Sequence, residues 1–238
     1  MKAFSLVGIY EALGFPPEVS RTLWPADVSP EQIAAKVVHP ELAIQLGGER
    51  SVPLLSLASY CANLLDAFFE TGSREFLVQA DQNWQQLVSA TPVTHDVTLL
   101  NRARSACTFF YYERDLSQRI ARGERLLREE VPTYFLRRGS DAPLYAALLE
   151  VDGIQGPAIT TAFQAFQGLW DLADDIRDLD QDRKGLGVNV LLLGFGEKPA
   201  LFKALADSLA EQGTRADVPR PLRLAVEQQY ARTSALLV

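Results

Sequence analysis

The spacing of apolar residues constrains the fold of this chain more than any other feature of its sequence. Along most of its length, apolar residues recur at intervals of three and four. This spacing places them on one face of an α-helix, whereas a half-buried strand would need every second residue to be apolar. The β-like segment at residues 188–193 is short and isolated, and one strand cannot make a sheet. The sequence therefore predicts an all-α fold.

Glycine, proline and serine clusters interrupt the helical pattern and predict the turns. No segment has the composition of a linker, so we expect a single-domain helical bundle over residues 1–238. Short N-terminal helices are expected in residues 1–50 and the core bundle in residues 51–238. The longer helices are predicted at residues 51–71, 73–90, 97–112, 114–137, 141–151, 156–182, 198–212 and 219–236.

Charge and composition exclude several classes of protein. The net charge is −7, which argues against nucleic-acid binding because phosphate backbones attract an excess of Lys and Arg. The most apolar segment, residues 52–69, contains polar residues and Asp66, so no transmembrane segment is expected. Cys61 and Cys107 lie in apolar patterns and suit a reducing compartment. We therefore expect a cytoplasmic protein.

The most informative segment is residues 162–182, where five aspartates lie at i, i+3, i+4, i+7 and i+11. On a helical wheel they share one face, named here the acidic stripe: Asp171, Asp174, Asp175, Asp178 and Asp182. Carboxylates one turn apart repel each other, and Asp is a poor residue inside a helix. Residues that destabilise a helix in this way usually have a function that compensates for the lost stability. Mg²⁺ takes oxygen ligands and bridges carboxylates to phosphates, so the acidic stripe predicts a magnesium and diphosphate site.

A solvated helix face is the simpler interpretation of the same residues. Arg177, Arg183 and Lys184 lie within a few residues and could neutralise the carboxylates. Asp180 points elsewhere on the wheel and is predicted to be a surface charge. The sequence leaves both interpretations of the acidic stripe open.

A second acidic face is predicted in the apolar segment at residues 59–72. Asn63, Asp66 and Glu70 lie at i, i+3 and i+7 on one side of the helix. A carboxylate buried among apolar residues is costly unless it has a partner, which an arginine, a helix cap or a metal ion could provide. In a helix bundle, two acidic faces about 110 residues apart can converge on one cavity.

These motifs resemble those of the class I isoprenoid synthase superfamily over residues 55–193. DDIRD at residues 174–178 is similar to the second Asp-rich motif of trans-prenyl diphosphate synthases, and Phe166-Gln167 is similar to the Phe-Gln before it. The spacing up to Asp182 also resembles that in squalene and phytoene synthases and in terpene cyclases. DAFFE at residues 66–70 resembles a reduced first motif.

The resemblance implies an all-α bundle of the isoprenoid synthase type, in which both motifs bind Mg²⁺ and ionise an allylic prenyl diphosphate. Asp174 and Asp178 would then be catalytic. The implied metal ligands are Asp66, Glu70, Asp174, Asp175, Asp178 and Asp182. The substrate-binding candidates are Arg74, Gln167, Arg183, Lys184, Phe69 and Phe166.

Prenyl transfer or head-to-head coupling is the activity that we expect from this resemblance. A terpene cyclase using the same metal site is an alternative. A non-catalytic partner subunit of a prenyl synthase is another, because the first motif has one Asp where prenyl diphosphate synthases usually carry more. For any of these activities, we expect either a homodimer or a heteromer with a related subunit.

Overall fold

The structure is a computed structural model that describes residues 42, 46–91, 112, 115–116, 118–119, 122–182, 184, 189–196 and 198–237. These residues form helices and turns and contain no β-strand, so the predicted all-α fold is confirmed. The helices predicted in the N-terminal 50 residues and at residues 97–112 lie almost entirely outside the described residues.

By their contacts, the residues divide into two compact units. The first comprises Met1–Arg104 with Ala147–Ile154, and the second comprises Ser105–Ala146 with Gln155–Val238. The single-domain organisation stays a prediction.

A helical hairpin forms most of the described part of the first unit. Helix α1 (Ser51–Thr71) and helix α2 (Arg74–Ala90) pack along each other and are joined at Gly72. Gly72 has a φ of 69°, and its N–H donates to the carbonyl of Phe68 at 2.8 Å, which closes the end of α1. Both helices begin and end within one residue of their predicted bounds, because glycine and serine mark this turn in the sequence.

Helix α1 is also apolar and long enough to cross a membrane, judged by length and composition. The relevant window is Ser51–Phe68, and 56% of it is buried inside the protein. The core helix of a soluble protein meets the same criteria, so this one helix does not show a transmembrane segment.

Helix α5 is the central element of the second unit. It packs against α3, α8 and α9, and its buried residues include Phe163, Leu169 and Leu172. The described helices after α2 are α3 (Glu130–Arg138), α4 (Ala142–Leu149), α5 (Pro157–Arg177), α6 (Leu179–Asp182), α7 (Val190–Gly194), α8 (Pro199–Gly213) and α9 (Arg220–Ala235). Short 3₁₀ turns at Gly139–Asp141 and Glu150–Asp152 flank α4.

The continuous helix predicted at residues 114–137 is wrong over residues 122–129, which form turns and irregular backbone. Gly123 has a φ of 79°, a left-handed conformation that a helix cannot accommodate. The guanidinium of Arg119 then binds Glu130 at 2.6 Å and Glu124 at 3.1 Å, which fixes the reversed chain. These charged residues therefore stabilise a turn.

Gly213, the last residue of α8, lies where three helices of the second unit meet. A Cβ atom at this position would lie 2.6 Å from Cβ of Ala165 on α5 and 2.8 Å from Cγ1 of Val226 on α9. We expect Gly213→Ala to lower the free energy of unfolding by about 1–3 kcal/mol, because overpacking a close contact outweighs the gain in helix propensity. Urea unfolding followed by circular dichroism measures the change.

The matched control for Gly213→Ala is Ser208→Ala, at an exposed position of the same helix. This control is expected to change the free energy of unfolding by less than about 0.5 kcal/mol. If Gly213→Ala were as stable as the wild type, the close packing of α8 against α5 and α9 would be incorrect.

Candidate acidic site on helix α5

The acidic stripe occupies the C-terminal half of α5 and continues into α6. Helix α5 ends at Arg177, and Asp178 has a φ of −88° and a ψ of 0°, where the regular helix is interrupted. The N–H of Asp178 still donates to the carbonyl of Asp174 at 3.0 Å, and the N–H of Asp182 donates to the carbonyl of Asp178 at 2.8 Å. The predicted helix at residues 156–182 is thus confirmed, apart from a break at Asp178.

The inner part of the acidic stripe is buried and ion-paired. Asp171 is 6% exposed, and 13% of the Asp175 side chain is exposed. Arg138, the last residue of α3, places Nε 3.3 Å from Oδ2 of Asp171 and Nη1 3.1 Å from Oδ1 of Asp175. Its guanidinium also lies over the ring of Tyr134 at 5.5 Å. One arginine therefore neutralises much of the charge on two buried carboxylates.

Sequence reasoning did not find Arg138 and named Arg177, Arg183 and Lys184 as the neutralising cations instead. Nη1 of Arg177 lies 3.7 Å from Oδ1 of Asp174, but both side chains are about half exposed. Such a surface pair contributes about 0–1 kcal/mol to stability. Arg183 lies outside the described residues, and Lys184 is exposed.

Gln167, which was predicted to bind substrate, contacts the acidic stripe directly. Its Nε2 donates to Oδ1 of Asp171 at 3.1 Å. The amide thus orients the carboxylate that Arg138 binds from the other side. A role for Gln167 in substrate binding stays a prediction.

Burial shifts the acidity of the carboxylates around Arg138. It raises the pKa of Asp175 to about 7; Arg138 opposes this shift, and the negative charge of Asp171 adds to it. Burial also raises the pKa of Asp141 to about 6, against the hydrogen bond from Tyr145. Oδ2 of Asp175 is buried without a hydrogen-bond partner among the described residues. A single guanidinium therefore does not fully compensate the buried acidic groups.

Asp174 and Asp178 form the outer part of the acidic stripe and face solvent. The side chain of Asp174 is 48% exposed, and Asp178 is also exposed. The two residues are one helical turn apart, so their carboxylates lie on the same side of the backbone. These two predicted catalytic residues are therefore accessible to a ligand from solution.

Asn189 joins the end of the acidic stripe to the next helix and was also missed by sequence reasoning. Its Nδ2 donates to the backbone carbonyl of Asp175 at 2.7 Å and to Oδ2 of Asp182 at 3.1 Å. Its Oδ1 accepts the N–H of Leu192 at 3.2 Å and caps α7. An asparagine before an apolar run is a known N-cap signal, but it was obscured by the β-like composition of residues 188–193.

The predicted first motif lies on α1 in the first unit, whereas the acidic stripe lies in the second unit. Asp66 is exposed, as is Arg74 at the start of α2. The side chains of Phe69 and Glu70 lie outside the described residues. The meeting of the two acidic faces therefore stays a prediction.

Phe166, which was predicted to contact the prenyl chain, is 7% exposed and belongs to the core of the second unit. Its neighbour Phe163 is fully buried against Tyr145, with 6.0 Å between ring centroids. Burial of this kind is typical of core aromatic residues. A contact between Phe166 and a prenyl chain stays a prediction.

The carboxylate oxygens of the acidic stripe are suitable ligands for magnesium, because magnesium prefers oxygen ligands. Within the described part of the chain, no three Asp, Glu, His or Cys side chains gather into a group that could hold a metal ion. Magnesium commonly uses only one or two carboxylates, together with waters and substrate phosphates. The exposed carboxylates of Asp174 and Asp178 are chemically compatible with a magnesium ion that also binds a phosphate ligand.

Comparison of this chain with protein-family models, with curated proteins and with solved structures gives no match. The likeness to class I isoprenoid synthases therefore rests on the sequence motifs. The all-α fold and the arrangement of the acidic stripe rest on the structure.

Proposed function

We propose that this chain is a Mg²⁺-dependent enzyme that acts on an allylic prenyl diphosphate by prenyl transfer or head-to-head coupling. The observation that supports this proposal is the division of the acidic stripe into two parts. Arg138 neutralises the inner aspartates, while Asp174 and Asp178 remain exposed at the end of the central helix. Carboxylates one turn apart near the C-terminal end of a helix repel each other and the helix dipole, and a bound cation would offset that cost.

The negative charge of the diphosphate is the reason why this site would need Mg²⁺. A diphosphate is strongly anionic and would be repelled by Asp174 and Asp178 on their own. Bound Mg²⁺ would neutralise the diphosphate and stabilise it as a leaving group. Asp174 and Asp178 would hold and orient the ion, while Arg138 keeps the inner carboxylates in place beneath them. Arg183 and Lys184, which follow the acidic stripe directly in the sequence, are candidates for direct contact with the diphosphate.

The proposal is tested by incubating the full chain with farnesyl or geranylgeranyl diphosphate, with and without isopentenyl diphosphate. Release of diphosphate that needs Mg²⁺ and stops with EDTA is the expected result. A longer or coupled prenyl product identifies a transferase, whereas a cyclic hydrocarbon made from one substrate identifies a cyclase. Absence of diphosphate release with every prenyl substrate would contradict the enzymatic proposal.

A non-catalytic partner subunit is the second candidate, and one observation favours it. Arg138 already supplies a positive charge to Asp171 and Asp175, so the inner part of the acidic stripe is stabilised without a metal ion. This candidate predicts that the chain releases no diphosphate and co-purifies with a catalytic prenyl synthase. Diphosphate release by the chain alone would contradict it.

A further inference from the structure

The amide of Asn189 connects three elements at the C-terminal end of the acidic stripe. Asn189 is 3% exposed, and both the nitrogen and the oxygen of its amide form hydrogen bonds. Nδ2 donates to the carbonyl of Asp175 on α5 and to the carboxylate of Asp182 on α6, while Oδ1 accepts the N–H of Leu192 on α7. An asparagine amide offers two N–H donors and one acceptor oxygen, so this environment uses its full donor capacity.

Capping of α7 alone does not require asparagine. Serine and aspartate cap a helix about as well, because only a side-chain oxygen is needed to accept the N–H group. The two hydrogen bonds that Nδ2 donates do require asparagine. An ionised aspartate has no donor, and a serine hydroxyl can donate only one hydrogen bond. The choice of asparagine therefore concerns the acidic stripe as well as α7.

The two donations act on opposite ends of the break at Asp178. One ties the backbone of α5 one turn before the break, and the other holds the carboxylate of Asp182 one turn after it. Carbonyl groups in the last turn of a helix lack intrahelical partners, so a side-chain donor stabilises this end of α5. Asn189 thereby holds the chain on both sides of Asp178, at the backbone of Asp175 and at the carboxylate of Asp182, and so limits the positions that the exposed Asp178 can take.

We infer that Asn189 is a positioning residue of the acidic site, which holds Asp178 and Asp182 in the geometry that binds the magnesium–diphosphate ligand. The inference rests on the proposed function. Asn189 makes no contact with the ligand in this scheme and acts through the carboxylate and the backbone that it holds. Groups that orient ligands in this way commonly affect affinity or activity by about 10–100-fold when they are lost.

Two substitutions separate positioning from capping. Asn189→Asp keeps an oxygen cap for α7, but it removes both donations and places a second carboxylate beside Asp182. Asn189→Ser keeps the cap and one donor. We expect kcat/KM for diphosphate release to fall by about 10–100-fold in Asn189→Asp and by less in Asn189→Ser, with a higher Mg²⁺ concentration needed for half-maximal rate in both.

A binding measurement without turnover provides an independent readout. Isothermal titration calorimetry with farnesyl thiolodiphosphate and Mg²⁺ is expected to show weaker binding in the same order: wild type, Asn189→Ser, Asn189→Asp. Gly213→Ala serves as the stability control, because it destabilises the second unit away from the acidic site. Its Mg²⁺ dependence and its affinity for the thiolodiphosphate are expected to match those of the wild type.

The outcomes distinguish this inference from the proposed function. Active Asn189 variants with wild-type Mg²⁺ dependence and wild-type affinity would overturn the positioning role alone. So would losses no larger than those of Gly213→Ala at the same loss of thermal stability. A wild-type chain that neither releases diphosphate nor binds the thiolodiphosphate would overturn both proposals.

Discussion

Replacing Arg138 with methionine is expected to lower the free energy of unfolding by about 3 kcal/mol at pH 8. The substitution keeps most of the apolar volume of the side chain, but it removes the cation that lies 3.3 Å from Asp171 and 3.1 Å from Asp175. Two buried carboxylates are then left without their counter-ion. Urea unfolding followed by circular dichroism at 222 nm measures the loss.

The loss should depend on pH in a direction that identifies its cause. The carboxyl of Asp175 has a pKa of about 7 in the folded chain and an ordinary value of 3.8. Between these values the folded chain binds a proton that the unfolded chain does not, so the contribution of Asp175 to stability decreases as the pH rises from about 4 to 7. Without Arg138 this decrease should be steeper, and Arg138→Met should be least damaging near pH 5.

The control for Arg138→Met is Arg128→Met, at an exposed position in the turn before α3. It is expected to change the free energy of unfolding by less than about 0.5 kcal/mol at any of these pH values. A wild-type stability for Arg138→Met at pH 8, or a loss that does not change with pH, would contradict the role of Arg138 as the counter-ion of the inner acidic stripe.

Replacing Asp178 with asparagine is expected to reduce kcat/KM for diphosphate release by about 100-fold or more. The change preserves the size of the side chain but removes the charge that would hold the metal ion. Asp178 is exposed, and surface substitutions usually have small effects on stability, so thermal stability and the helical circular dichroism should stay close to those of the wild type. Steady-state kinetics with saturating Mg²⁺ measure the effect.

Asp180→Asn is the matched control for Asp178→Asn. Both residues are exposed aspartates within the same few residues, but Asp180 lies on a different face of the helix. It is expected to retain activity within a factor of about two of the wild type. Equal effects of the two substitutions would show that net charge matters and that the position on the acidic stripe does not.

Local signals in the sequence were sufficient for most of the described helices. Gly72 and Ser73 separate α1 from α2, and the proline at the start of α5 marks a first helical turn. Prediction failed at residues 122–129, where the apolar spacing continued but Gly123 took a left-handed conformation. The spacing of apolar residues shows which face of a helix is apolar, but it does not show where the chain reverses direction.

The candidate site was only partly predictable for a different reason. The acidic stripe follows from helical geometry, but its partner Arg138 lies 37 residues from Asp175 along the chain. Nothing in the pattern of α3 separates Arg138 from the neighbouring Arg137, which is exposed. Which arginine points inward depends on the packing of α3 against α5, and packing is not encoded in local spacing.

The division of the acidic stripe also answers part of the question that the sequence left open. A fully solvated face does not describe Asp171 and Asp175, which are buried and paired with Arg138. Solvent exposure does describe Asp174 and Asp178. The inner turn is therefore a buried, ion-paired cluster and not a solvated face, and the ligand site is proposed only for the exposed outer turns.

Crystallographic location of a bound metal is the most direct test of the account. Crystals of the full chain soaked with Mn²⁺ and farnesyl thiolodiphosphate should give an anomalous peak about 2.0–2.3 Å from carboxylate oxygens of Asp174 or Asp178 and next to a phosphate oxygen. Crystals soaked with Mn²⁺ alone should show a weak peak or none. A well-ordered thiolodiphosphate bound elsewhere in the chain, with no metal at the acidic stripe, would contradict the account.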